Sequence, residues 1–94
     1  MISGVVEASY KAKKMVRVTM EIAFDRIRDI LLSGDFFMIP EGMLPKLEVE
    51  LVGAPLNRKE LSQKLKQFYE RTRIQVSGVM PEDFVEAIMK AAET

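Results

Sequence analysis

The chain reads as an α+β domain: a three-stranded antiparallel sheet followed by three helices packed on one of its faces, in the order β-β-β-α-α-α. Two observations predict this order. Before Pro40 the apolar residues alternate with a period of two, whereas after it they recur at spacings of three and four. Proline and glycine stand at the joints between these segments. A length of 94 residues makes residues 1–94 a single domain, with an ordered core expected over about residues 10–92.

The first strand runs from Lys14 to Ile22. Val16, Val18, Met20 and Ile22 point one way, and Arg17, Thr19 and Glu21 the other, as in a half-buried strand. Phe24-Asp25-Arg26 forms the turn, without the Asn-Gly or Asp-Gly of a tight hairpin. Ile27 to Leu32 is the second strand, and its broken parity between Ile27 and Ile30 points to a bulge or to cover on both faces. Ser33-Gly34-Asp35 is a break, and Phe36 to Ile39 a short third strand. The first helix starts near Leu44, since Pro45 belongs in a first turn. Its stripe is Leu44, Leu47, Leu51 and Val52, closed by Gly53 in a left-handed cap and by Pro55. Asn57 and Glu60 form a capping box for the second helix, whose stripe is Leu61, Leu65 and Phe68. Ile74 to Val76 is an extended link that ends at Gly78. The third helix starts at Pro81, with Glu82 and Asp83 against its N-terminal dipole and Val79 and Phe84 as a hydrophobic staple.

Composition narrows the function. The chain lacks cysteine, histidine and tryptophan. Thiolate chemistry, disulfides and zinc held by sulfur or imidazole are excluded, and so is the side chain that most often acts as acid or base near neutral pH. Fourteen basic residues balance fourteen acidic ones, so no global field draws in nucleic acid or an anionic membrane. The charges are nevertheless segregated: net +2 over residues 1–30, −3 over 31–57, +4 over 58–75 and −3 over 76–94. This alternation reads as solvated faces that complement one another within the fold. No stretch approaches the roughly twenty apolar residues of a membrane span. The N-terminal Met1-Ile2-Ser3-Gly4-Val5-Val6-Glu7 has no leader pattern, so the expected compartment is the cytoplasm.

Candidate chemistry is sparse. Glu48 and Glu50 diverge on a helix, Asp25 and Asp29 straddle a turn, and Glu82 and Asp83 serve a helix start. None of these pairs has a reason to split its pKa values as acid–base catalysis requires. There is no phosphate-cradling glycine loop. Two basic clusters, Lys11, Lys13 and Lys14, and Arg58 to Arg73, are either a solvated face or a surface for a phosphate group or acidic partner. No aromatic interleaves the lysines as a base-stacking platform would. The most distinctive string is Gly34-Asp35-Phe36-Phe37. On a regular strand one phenylalanine enters the core and the other lands on the sheet face that carries Arg17, Thr19 and Glu21, where it is sheltered by a loop or offered to a partner.

Several stretches, taken in order, resemble the C-terminal accessory domain of lipoate–protein ligases. They are Lys14-Met15-Val16-Arg17-Val18; Ile27 to Leu32; Ser33-Gly34-Asp35-Phe36-Phe37-Met38-Ile39-Pro40-Glu41; Leu47-Glu48 with Leu51, Gly53 and Pro55; and Gly78-Val79 with Pro81-Glu82-Asp83-Phe84 to Ala91. The family's fold is similar to that of the iron–sulfur scaffold and sulfur-transfer proteins. Members often carry Lys-x-Pro-Gly-Gly-Lys before the first strand. Here Lys11-Ala12-Lys13-Lys14 stands in its place: the glycines are missing, and Lys14 matches the closing lysine. The resemblance implies a non-catalytic accessory subunit of a two-part ligase, encoded apart from a larger catalytic subunit. That ligase activates lipoate with ATP to lipoyl adenylate and passes the acyl group to a lysine of a lipoyl-acceptor domain. ATP, Mg²⁺ and lipoate are then carried by the complex and not by this chain alone. Interface candidates are Lys14, Arg17, Asp35, Phe36 and Phe37, and Lys14 is the residue to test toward the adenylate. The alternative is an interaction scaffold or homodimer with no part in lipoylation.

Overall fold

The computed structural model describes residues 4–93. Met1 to Ser3, on which the leaderless reading of the N-terminus partly rests, lie outside the described residues, as does Thr94. The first three strands are β1 (Gly4–Lys11), β2 (Met15–Ala23) and β3 (Arg26–Gly34), which form one antiparallel sheet in the order β1-β2-β3. Then follow β4 (Met38–Ile39), α1 (Met43–Leu51), α2 (Arg58–Thr72), β5 (Gln75–Val76) and α3 (Pro81–Ala92). A three-stranded antiparallel sheet followed by three helices is thus the architecture, as expected.

Which segments build the sheet differs from the expectation in one respect. The third sheet strand is β1, ahead of the first strand predicted, and Phe36 to Ile39 does not join the sheet. Only Met38 and Ile39 are extended there, and they pair with Val76 and Gln75 in a separate ribbon. Weak contrast hides β1 in the sequence. Its inward side chains Val6, Ala8 and Tyr10 are only half-buried, and Val5 beside Val6 blurs the alternation.

The central strand behaves as its pattern requires. Val16, Val18, Met20 and Ile22 are buried, while Arg17 faces solvent. Phe24 and Asp25 both take positive φ in the β2–β3 turn, the backbone of a two-residue hairpin built without glycine. The parity break is a bulge: Ile22 pairs with Ile27 and Glu21 with Asp29, leaving Arg28 as the extra residue.

All three helices lie on the inner face. Leu47 and Leu51 of α1, Leu61, Leu65 and Phe68 of α2, and Phe84, Val85, Ile88 and Ala91 of α3 complete the core. Among the described residues no buried side chain is polar or charged. Asn57, Asp83 and Gly53 cap their helices, but the Asn57–Glu60 box lacks its return arm, since the Asn57 N–H donates to the Pro55 carbonyl at 2.8 Å. Asn57 accepts from the N–H groups of Lys59 and Glu60 at 2.9 and 3.1 Å. Asp83 accepts from the N–H of Met80 at 2.8 Å, and Gly53 is left-handed after α1. Arg58 pairs with Glu86 and Arg71 with Glu50, joining α2 to α3 and to α1.

Both sheet edges are guarded. The Glu48 carboxylate of α1 accepts the Leu32 N–H of β3 at 2.7 Å. Further along that edge, Gly53 donates to the carbonyl of Ile27, and Ile27 donates to that of Ala54. On the other edge the Lys90 ammonium reaches the Ser9 carbonyl of β1 at 2.7 Å. Charges and short pairings of this kind keep an edge strand from recruiting a stray chain.

Candidate functional site

The site begins where β3 ends. The Asp35 carboxylate accepts the backbone N–H of Met15 at 2.8 Å, which ties the exit of β3 to the entry of β2. Gly34 makes this approach feasible, because a Cβ there would fall 2.1 Å from the Met15 carbonyl oxygen. Phe36 then turns inward and packs edge-on against Phe84, with ring centroids 5.6 Å apart and planes at 84°. Tyr69 meets Phe84 from another side at 6.5 Å, and its hydroxyl donates to the Val79 carbonyl at 3.2 Å. Burial, with smaller contributions from the charges of Asp83 and Glu82, pushes the Tyr69 phenol well above its ordinary value.

With Phe36 anchored inside, Phe37 is thrown outward and is 80 % exposed. Met38 turns in again and is buried, and Ile39 turns out. The β4–β5 ribbon carries this outward pair. Phe37 and Ile39 line a shallow hollow of about 440 Å³ with Gln75, Val76 and Ser77.

A basic rim adjoins the hollow. The Lys14 stem lies over Gly78, where an added Cβ would meet Lys14 Cγ at 2.8 Å and Lys13 Cβ at 3.4 Å. Gly78 itself is left-handed, so this loop needs glycine on two counts. Lys13, Gly78, exposed Met80 and Asp83 line a neighbouring hollow of about 280 Å³. On the sheet side, Arg17 lines a third of about 360 Å³ with Met15, Ser33, Gly34 and Asp35, and its Nε donates to the Ser9 hydroxyl at 3.4 Å.

Lys14, Arg17, Asp35, Phe36 and Phe37 therefore gather at one end of the sheet. Phe37, Lys14 and Arg17 are solvent-facing. Asp35, also exposed, holds two strands together, and Phe36 is packing that fixes the direction of Phe37. Sequence reasoning missed Ile39 and Met80 as surface residues. Ile39 had a signal, since it stands two residues from Phe37 and so shares its face. Met80 had a subtler one: it occupies the N-cap of α3, a position that favours Ser, Thr, Asp or Asn. Among the described residues no group of three His, Cys, Asp or Glu side chains is placed to hold a metal ion, and no helix is long and apolar enough to cross a membrane. The exposed side chains gathered here are an apolar pair, Phe37 and Ile39, with the cations Lys13, Lys14 and Arg17 at this end of the sheet.

This folding unit is a domain of the α+β class that holds one aromatic, Phe37, out from its surface. Residues 9–88 match the family described as bacterial lipoate protein ligase C-terminus, and the chain belongs to that family. It is 41 % identical over 81 residues to lipoate-protein ligase A subunit 2 of Thermoplasma acidophilum, across 85 % of this chain and 83 % of that protein. It also superposes with a TM-score of 0.82 and 35 % identity on a chain from the solved structure of an archaeal lipoylation system. That structure is described as a bi-partite lipoate protein ligase and its E2 lipoyl domain, from Thermoplasma acidophilum. The match covers 93 % of this chain and 97 % of the other.

Proposed function

We propose that this chain is the non-catalytic accessory subunit of a two-part lipoate–protein ligase, and that it docks on a larger catalytic subunit through the Phe37 end of the sheet. Family membership and the subunit name of the Thermoplasma relative support the class of protein. The observation that carries the docking role is the fully presented Phe37, braced by Phe36 on Phe84 and flanked by Ile39 and the lysine rim. A large aromatic set out from a rigid base, with a polar margin, is how binding energy concentrates at an interface.

In this reading ATP, Mg²⁺ and lipoate are held by the larger subunit. This chain contributes cover and order. An acyl adenylate is a mixed anhydride, prone to hydrolysis, and a domain closing over its site excludes water and fixes the surrounding loop. Lys13 and Lys14 lie on the rim where they can face an anionic group or carboxylates of the larger subunit. Transfer to a lysine of the acceptor domain needs the site to open, so the dependence on this chain is greater for activation than for transfer.

The test is lipoate-dependent pyrophosphate release by the larger subunit with and without this chain. The expected result is stimulation of at least tenfold, lost with Phe37→Asp and retained with Lys59→Ala on the far end of α2. Equal rates in both mixtures refute the accessory role. A homodimer without a part in lipoylation draws no support from the comparisons. It would appear as a concentration-dependent change of mass in the isolated chain.

A further inference from the structure

We propose that the solvent-facing side of the β1–β2–β3 sheet is a second part of the same docking surface and is covered by the larger ligase subunit. This rests on the accessory-subunit reading above. The helices all pack on the other side, and among the described residues nothing covers this one. Its polar groups are largely paired with one another. Thr19 donates to Glu7 at 3.3 Å, Arg17 to Ser9 at 3.4 Å, and Arg28 lies 3.7 Å from Glu21. Two apolar side chains stand out among them. Leu31 is 61 % exposed opposite Thr19, and Val5 is 71 % exposed opposite Glu21. Both line one hollow of about 330 Å³ with Thr19, Glu21 and Asp29.

Area and continuity point to the occupant. A stable interface takes roughly 800 Å² from each partner, and Phe37, Ile39 and Met80 alone cannot supply that. The sheet face is the adjoining surface. Leu31 and Ser33 are two apart on β3, and Thr19 and Arg17 are two apart on β2, so each pair shares this face. The Leu31 hollow and the Arg17–Ser33–Asp35 hollow therefore follow one another along this face, and Asp35 stands two residues before Phe37. Charge indicates the chemistry of the partner surface. Among the described residues Arg17 has a hydroxyl for a partner and no carboxylate within ion-pair distance. The covering surface then brings an apolar side chain to Leu31 and Val5 and a carboxylate to Arg17.

The absence of cysteine makes the test direct. Leu31→Cys, Phe37→Cys and Lys59→Cys each introduce one thiol, whose alkylation is followed by mass spectrometry of this chain, free and in complex with the larger subunit. Complex formation is expected to slow alkylation at least tenfold at residues 31 and 37 and to leave residue 59 unchanged. Protection at 37 without protection at 31 overturns this inference and leaves the accessory reading standing. Protection at neither, or no complex, sinks the accessory reading and this inference with it. Protection at 31 in the isolated chain, growing with its concentration, assigns the face to a second copy and also overturns the inference. Affinity supplies the second measurement. Leu31→Asp and the strand-compatible Leu31→Thr should each raise the Kd for the larger subunit, the aspartate by tenfold or more, with native thermal melting. An unchanged Kd in well-folded Leu31→Thr and Leu31→Asp chains refutes the proposal.

Discussion

Asp35 and Phe37 stand two residues apart in one short string and take opposite parts. Asp35 is exposed, yet its carboxylate closes the gap between two strands by accepting the Met15 N–H. Asp35→Ala should therefore lower the unfolding free energy by about 1 kcal/mol, the usual net worth of such a hydrogen bond. Asp35→Asn keeps an acceptor oxygen and should lose less, and urea titration of the two variants checks the pair. Phe37 touches nothing that the fold requires. Phe37→Asp should leave the thermal midpoint unchanged and remove binding to the larger subunit, as read by calorimetry. Tyr69 gives a third residue-scale expectation. Its folded-state pKa is raised above the ordinary value of 10.0, so the native state favours the protonated phenol. The associated stability is fully present below about pH 10 and declines as pH rises above it. In Tyr69→Phe that part of the alkaline decline should disappear from denaturation curves recorded between pH 9 and 11.

At the scale of elements, α3 is the keel. Phe84 meets both Phe36 and Tyr69, so Phe84→Ala empties the centre of three segments and should cost about 3–5 kcal/mol, measurable as a large drop in denaturation midpoint. Gly34→Ala tests the strand exit. Its methyl group would press on the Met15 carbonyl and the Phe36 ring, and a loss of about 1–3 kcal/mol is expected from overpacking. Local signals were enough to read most of these elements. The alternation in β2, the Asn57 cap, and the Gly53 and Pro55 stop are each written within a few neighbouring residues, and the structure follows them. The extended stretches that hold β4 and β5 were legible too, but their pairing with each other was not. Each is two residues long, and each exists as a strand only because partners 36 and 38 residues away in sequence lie beside it. The same distinction governs the site. Adjacency alone says that Phe36 and Phe37 part; that Phe36 is the one turned onto Phe84, and that Phe37 lies beside the β4–β5 ribbon and not on the outer sheet face, is set by tertiary packing. The meeting of Lys14 with Gly78 depends on tertiary packing and leaves no mark in either local sequence.

For the molecule as a whole, the charge segregation seen along the chain resolves into contacts between helices. The basic segment 58–75 meets the acidic segments on either side through Arg58–Glu86, Lys66–Glu82 and Arg71–Glu50. These pairs are exposed and screened, so each adds at most a fraction of a kcal/mol. Lys13, Lys14 and Arg17 are absent from them, which leaves the cations at the Phe37 end available for a partner. Complex formation should accordingly weaken as salt rises from 50 to 500 mM, while the melting temperature of the isolated chain changes little. Parallel calorimetric titrations and thermal melts across that range make the comparison.

The β4–β5 pairing carries a consequence for biosynthesis. Ile39 leaves the ribosome long before Gln75, so the Phe37 loop is made well ahead of the strand that pairs beside it. Phe84, the ring against which Phe36 rests, comes later still. A nascent chain stopped after α2 would hold the whole three-stranded sheet and two helices, but neither the β4–β5 pairing nor the Phe36–Phe84 contact. On the docking role proposed above, recognition by a larger subunit therefore waits until α3 has been made.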